Sequence, residues 1–298
     1  LMAPLTLLLL YGLALFAASL AGGGLPRYFA MTHTRAQLAM SFVSGVMLGI
    51  AFLHLLPHAL VAARGVDAAT TVMNWAILGL VVMLLLLRLL HFHQPDYPAQ
   101  EDMHAHHDHA ACDGDAASPA TGRGDGPRVD WGGVFLGLPF HTLVDGIALG
   151  AALLGDPGHG GDAILGFGVF LAIVLHKPLD AMSITALMKA GGASLAAQRM
   201  ANFAFAAVCP LGALLFYIVL GGSGDLEAIA LGPALAFTAG AFVCIALGDL
   251  LPEVQFHSHD RIKLTLAFLL GISLAYALAL ASPQHHDVVP PLPIESGS

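Results

Sequence analysis

His141-Thr142-Leu143-Val144-Asp145-Gly146 lies inside an apolar run from Trp131 to Leu154, and His176-Lys177-Pro178-Leu179-Asp180 lies inside the next run, residues 163–188. In each motif four positions separate an imidazole from a carboxylate, so a helix presents both groups from one face, one turn apart. Both runs are long enough to cross a hydrocarbon core of about 30 Å. An ionisable side chain in mid-membrane is costly unless it has a partner, and here four sit at similar depth in consecutive spans. The two pairs together offer two nitrogens and two carboxylate oxygens to one cation. A helix-packing hydrogen bond is the plainer reading of one such pair; its repetition in the neighbouring span favours a metal site.

Around these motifs the composition is that of a polytopic membrane protein. Of the 298 residues 57% are hydrophobic and 10% charged, and the mean hydropathy is +0.78, which a soluble surface would not tolerate. Backbone in lipid must satisfy its own hydrogen bonds, so the expected fold class is all-α with the lipid bilayer as solvent. The net charge of −9 is carried mostly by loops, with no basic stripe or motif for nucleic acid. Cys112, Cys209 and Cys244 lie far apart and form no CxxC, which supports neither a disulfide framework nor a thiolate zinc site.

Eight runs read as transmembrane helices: residues 4–21, 36–63, 71–91, 131–154, 163–188, 195–220, 228–251 and 262–281. No basic segment precedes the first, so it reads as a span and not as a signal peptide. The organisation is therefore helices 1–3 over residues 1–90, a His-rich loop over 91–130, helices 4–8 over 131–281 and a tail over 282–298. The loop carries His91, His93, His104, His106, His107 and His109 among acids, Gly and Pro, so loop and tail are both expected to be disordered. The loop reads either as a solvated linker or as a low-affinity metal collector. Loops after odd-numbered spans hold Arg27, Arg35, Arg88, Arg123, Arg128, Lys189, Arg199, Arg261 and Lys263, against Arg64 alone after even-numbered ones. The positive-inside rule makes the odd loops cytoplasmic and both termini outside.

Further donors stand at the two mouths of this arrangement. His54 and His58 close the second span at its outer end and share a face if the helix is regular, with Met47 two turns deeper as a thioether; interfacial histidines and packed methionines are the plainer alternatives. Asp249, Glu253, His257 and His259 follow at the inner end of the seventh span. Outer, middle and inner clusters make a cation path. Pro178 removes a backbone donor and frees the Val174 carbonyl, and Lys177 is a buried ammonium that needs Asp180 or Asp145 nearby.

Taken together, residues 45–57, 141–150, His176 to Asp180 and 239–253 resemble the ZIP family of divalent metal transporters (Zrt- and Irt-like proteins), in its bacterial form. The resemblance implies metal binding at His141, Asp145, His176 and Asp180, transport towards the cytosol, a homodimer and a bacterial inner (plasma) membrane. It departs from the family at three places: Thr142 where Asn is common, Lys177 where an acid is common, and no acid anywhere from 195 to 220. Those positions are associated in the family with a second metal, so this chain is expected to hold one, with the Lys177 ammonium standing where the second cation would sit. The resulting expectation is a zinc transporter, not an enzyme and with no cofactor beyond its cargo, working by alternating access and admitting Cd, Fe, Mn or Co at the same donors. The competing reading is a membrane-embedded zinc hydrolase, against which stands the lack of an HExxH motif. A metal-sensing receptor would need an output domain that no loop is long enough to form.

Overall fold

The computed structural model describes residues 2–24, 33–63, 67–89, 131–155, 163–250 and 261–281. Among them are eight helices of membrane-spanning length and apolarity, with no strand. α1 is Met2–Gly24; α2 starts as His33–Ile50, passes through a π-helical turn at Ala51–Leu55 and continues as Leu56–Ala62. α3 is Ala68–Leu89, α4 Trp131–Leu154, α5 Ala163–Ala190 and α6 Leu195–Leu220. α7 is Gly224–Ile245 with a second π-helical turn at Ala246–Leu250, and α8 is Arg261–Ala281. All eight expected spans are present. The His-rich loop and the tail lie outside the described residues.

The helices sort into two groups. α1, α4, α5 and α6 pack chiefly against one another, as do α2, α3, α7 and α8, and the groups meet mainly where α4 touches α7 and α2 touches α5. The most buried helices are α2, α4, α5 and α7, while α1, α3 and α8 turn Leu10, Leu13, Ile77, Leu85, Leu266 and Leu270 outward. Such side chains suit lipid, where outward apolar surface costs nothing.

Close approach within each group rests on glycine. A β-carbon at Gly45 of α2 would collide with the Phe268 carbonyl of α8, and one at Gly271 of α8 would collide with the Phe42 carbonyl of α2. Gly79 of α3 and Gly240 of α7 stand in the same reciprocal relation to the Phe237 and Ala76 carbonyls. Gly146 of α4 faces the Cys209 carbonyl of α6. In lipid no hydrophobic force draws helices together, so dispersion contacts at such crossings and a few hydrogen bonds must do it. Two of those bonds come from α2: the Ser41 hydroxyl donates to the Leu264 carbonyl of α8 at 2.6 Å, and the Ser44 hydroxyl to the Ala246 carbonyl at 2.8 Å.

The π-helical turns are the departure from a reading of α2 and α7 as regular helices. Pro57 has no N–H, and its ring would strike the Leu53 carbonyl in a regular helix; the wide turn just before it removes that clash. The second turn precedes Pro252 by the same two positions, although Pro252 itself lies beyond the described residues. Aligned on the turns, Ile50-Ala51-Phe52-Leu53-His54-Leu55-Leu56-Pro57-His58 repeats as Ile245-Ala246-Leu247-Gly248-Asp249-Leu250-Leu251-Pro252-Glu253. The crossing glycines Gly45 and Gly240 fall at equivalent places in the same alignment. Since α2 and α7 are an odd number of crossings apart they run in opposite directions, so this is an inverted repeat. It pairs α2–α8 with α7–α3, the two strongest helix contacts of the second group.

Gly240→Val tests the crossing. Forcing α3 and α7 apart should cost about 1–3 kcal/mol and lower the unfolding midpoint of the detergent-solubilised protein. Gly24→Val, where nothing lies within 4 Å of the added carbon, should leave the midpoint unchanged; equal losses would remove the crossing as the cause.

Candidate metal centre

The deepest polar cluster is formed by α4 and α5 alone. His141 and Asp145 project from one face of α4, His176 and Asp180 from one face of α5, and one donor atom from each lies within 4.8 Å of all the others. The His141 Nε2 atom stands 3.6 Å from Asp145 Oδ2 and 3.4 Å from Asp180 Oδ2; the His176 Nε2 atom stands 3.3 and 3.8 Å from the same two oxygens. A zinc ion bound tetrahedrally at about 2.0–2.1 Å holds its donor atoms about 3.3–3.4 Å apart. The four histidine–aspartate separations are therefore already close to those of such a shell.

The chemistry of these groups fits a cation. His141 Nε2 and Asp145 Oδ1 are buried with no hydrogen-bond partner among the described residues, and an orphaned lone pair in a membrane interior is costly unless something positive meets it. The His176 Nδ1–H donates to the Ala172 carbonyl at 2.8 Å, which leaves the Nε2 lone pair facing the carboxylates. Phe242 of α7 stands edge-on to the His176 ring at 6.5 Å, and the two site imidazoles are perpendicular at 5.8 Å. Asp145 is fully buried, and only the Asp180 side chain is partly open, at 13%.

Lys177 is among the largest fully buried side chains of the described residues. Its Nζ lies 2.5 Å from Asp145 Oδ2 and 3.5 Å from Asp180 Oδ2, donates to the Thr142 hydroxyl at 3.1 Å, and sits over the Phe205 ring of α6 at 5.3 Å. With neutral imidazoles the empty cluster carries one net negative charge, and a divalent cation makes it one net positive charge. Neither state leaves more than a single net charge in the cluster. Without the ammonium the empty site would hold two adjacent carboxylates, and the cation would be bound far more tightly.

The sequence pattern described as ZIP Zinc transporter matches residues 5–127 and 132–279. The chain belongs to the ZIP zinc transporter family. Zinc transporter ZIP9-B of Xenopus laevis is 32% identical over 160 residues, covering 52% of this chain and 48% of that protein. Zinc transporter ZIP9 of Macaca fascicularis is 33% identical over 129 residues, covering 42% and 53%, and Zinc transporter zipt-7.2 of Caenorhabditis elegans is 27% identical over 146 residues, covering 47% and 29%. The chain spans about half the length of the ZIP9 relatives it matches. As a ZIP family member with eight spans, it is an integral membrane protein.

The other donors expected from sequence have separate fates in this ZIP chain. His54 is buried and bonds through Nε2 to the Ala275 carbonyl of α8 at 3.2 Å, a helix-packing contact. His58, half-buried, donates from Nδ1 to the His54 carbonyl at 2.7 Å and does not share the environment of His54. Met47 is fully buried in the apolar core. The Asp249 side chain, Glu253, His257 and His259 lie outside the described residues. Sequence reading did not find Phe205 and Phe242 as walls of the site, since no spacing sets those two phenylalanines apart from the others.

Lys177→Gln tests the charge argument. It leaves Asp145 buried without its closest cation, a loss of about 3–5 kcal/mol, so the metal-free protein should melt well below the unmodified one. Added zinc should raise its melting point more than it raises that of the unmodified protein. An equal zinc response in both would show that the ammonium does not set the affinity.

Proposed function

We propose that the chain carries a divalent transition metal, zinc first, into the cytosol through the site formed by His141, Asp145, His176 and Asp180. The observation that supports this most is the convergence of two imidazole nitrogens and two carboxylate oxygens at near-tetrahedral spacing inside two spans, with His141 Nε2 and Asp145 Oδ1 unpartnered. Family membership and the names of the ZIP9 relatives support zinc. Mixed imidazole and carboxylate donors also admit Cd, Fe, Mn and Co. The distribution of Lys and Arg among the loops supports inward transport, with both termini outside. We infer a single metal per site, because the Lys177 ammonium occupies the space between Asp145, Asp180 and Thr142 where a second cation would need carboxylate oxygens.

The metal collects no separate catalytic base here. Asp145 and Asp180 are the only acids of the cluster, and both are engaged as ligand oxygens for the cation or as acceptors from Lys177, which weighs against a zinc hydrolase. A homodimer is part of the proposal on the strength of the family resemblance, and native mass spectrometry tests it. So is the bacterial plasma membrane, which cell fractionation tests; the matched relatives are animal proteins and do not bear on it.

Asp145→Ala and His176→Ala should each abolish zinc uptake into proteoliposomes containing only this protein, while both variants remain folded and inserted. Uptake at the original rate would sink the site. Residues 91–130 and 282–298 are proposed to lie outside the obligatory path: removal of residues 103–126 should preserve uptake and shift only its dependence on zinc concentration, and loss of transport by the well-expressed deletion would bring the loop into the path.

A further inference from the structure

A second polar site stands well away from the α4–α5 cluster. At the end of the bundle where α2 and α4 finish and α7 begins, a cavity of about 400 Å³ is lined by His58, Leu154, Gly155, Glu227, Leu231 and Leu235, with smaller groups between them. Among the described residues, His58 and Glu227 are the only ionisable side chains in its lining. A largely apolar cavity with a few convergent polar groups is the usual form of a binding site.

The two groups are prepared for a cation in different ways. The His58 Nδ1–H is committed to the His54 carbonyl at 2.7 Å, and this fixes the tautomer whose Nε2 carries a lone pair. Glu227 lies in the first turn of α7, half-buried, with its backbone N–H bonded to the Ser223 carbonyl at 2.9 Å. Among the described residues its carboxylate has no salt-bridge partner, and no Lys or Arg lines the cavity. One imidazole nitrogen and one carboxylate give a divalent transition metal two protein ligands, with water completing the shell.

The position suits a step before the deep site. One turn below His58, the His54 ring lies beside Gly168 of α5, where an added β-carbon would come within 3.8 Å of it. From Gly168 to His176 is eight residues along the same helix, or about 12 Å of rise. We propose that the His58–Glu227 cavity is a loading site that captures a hydrated divalent metal weakly at the mouth assigned to the outside and passes it towards the α4–α5 centre. This rests on the transport reading above, yet binding at this site does not require the deep site to be intact.

The experiment is diethyl pyrocarbonate labelling of the full-length protein in detergent, with the modification of His58 read by peptide mass spectrometry over a range of zinc concentrations. Zinc should protect His58 in the unmodified protein and equally in Asp145→Ala. Glu227→Gln should raise the half-protecting zinc concentration on the order of tenfold or more, and Glu227→Asp should keep most of the protection. The proposal is overturned if His58 fails to label without zinc, if zinc gives no protection, or if Glu227→Gln protects as well as the original. Because labelling reads His58 alone, the His-rich loop does not contribute. Zinc uptake by Asp145→Ala would overturn the deep-site reading and leave this result standing.

Discussion

Everything at the centre of this protein follows from placing two carboxylates inside a membrane. Neither Asp145 nor Asp180 can be left uncompensated there, and the structure meets that constraint with Lys177, anchored between them and Thr142. On the transport reading proposed above, the ammonium stabilises the metal-free site, since a carrier must be stable when its cargo is absent. It also weakens the filled site, because the incoming cation meets a positive charge already in position. On the same reading, an interior site built from His and Asp alone would favour retention, and the ammonium shifts the balance towards exchange.

The surrounding helices supply rigidity where the charges need it. Reciprocal glycine contacts lock α2 to α8 and α3 to α7, while Gly146, next to Asp145 in sequence, lets α4 press against the α6 backbone at Cys209. Among the described residues few hydrogen bonds cross between helices; away from the α4–α5 cluster they include those of Ser41, Ser44, His54 and Asn202 to backbone carbonyls. In a medium that does not reward burial of Leu or Ile, shape at the backbone carries most of the specificity.

Much of this was legible in the sequence. Long apolar runs must be helices in lipid, so the eight spans could be read from hydropathy alone, and the spacing of His141 with Asp145 and of His176 with Asp180 placed each pair on one face. Which of the two acids Lys177 would favour was not legible, because that depends on how α4 and α5 are set against each other; the ammonium lies closer to Asp145, on the other helix, than to Asp180 on its own. The separate partners of His54 and His58, the Ala275 and His54 carbonyls, were not legible, because they depend on how α8 is set against α2 around the π-helical turn at residues 51–55. Pro57 is the sequence mark of that turn. Glu227 could not be singled out, for an acid in the first turn of a helix is ordinary until a cavity is seen in front of it.

The inverted repeat bears on the direction of transport. Two halves of like backbone running oppositely through the membrane can each take the shape the other has, which gives two conformations of similar backbone energy that open to opposite sides. Any preference between them must then come from positions where the repeats differ. Here the aligned positions are His54 and His58 in one repeat and Asp249 and Glu253 in the other, so at these positions one repeat carries imidazoles and the other carboxylates. On the transport reading proposed above, the asymmetry of the protein is then a matter of side-chain chemistry set on a nearly symmetric backbone frame.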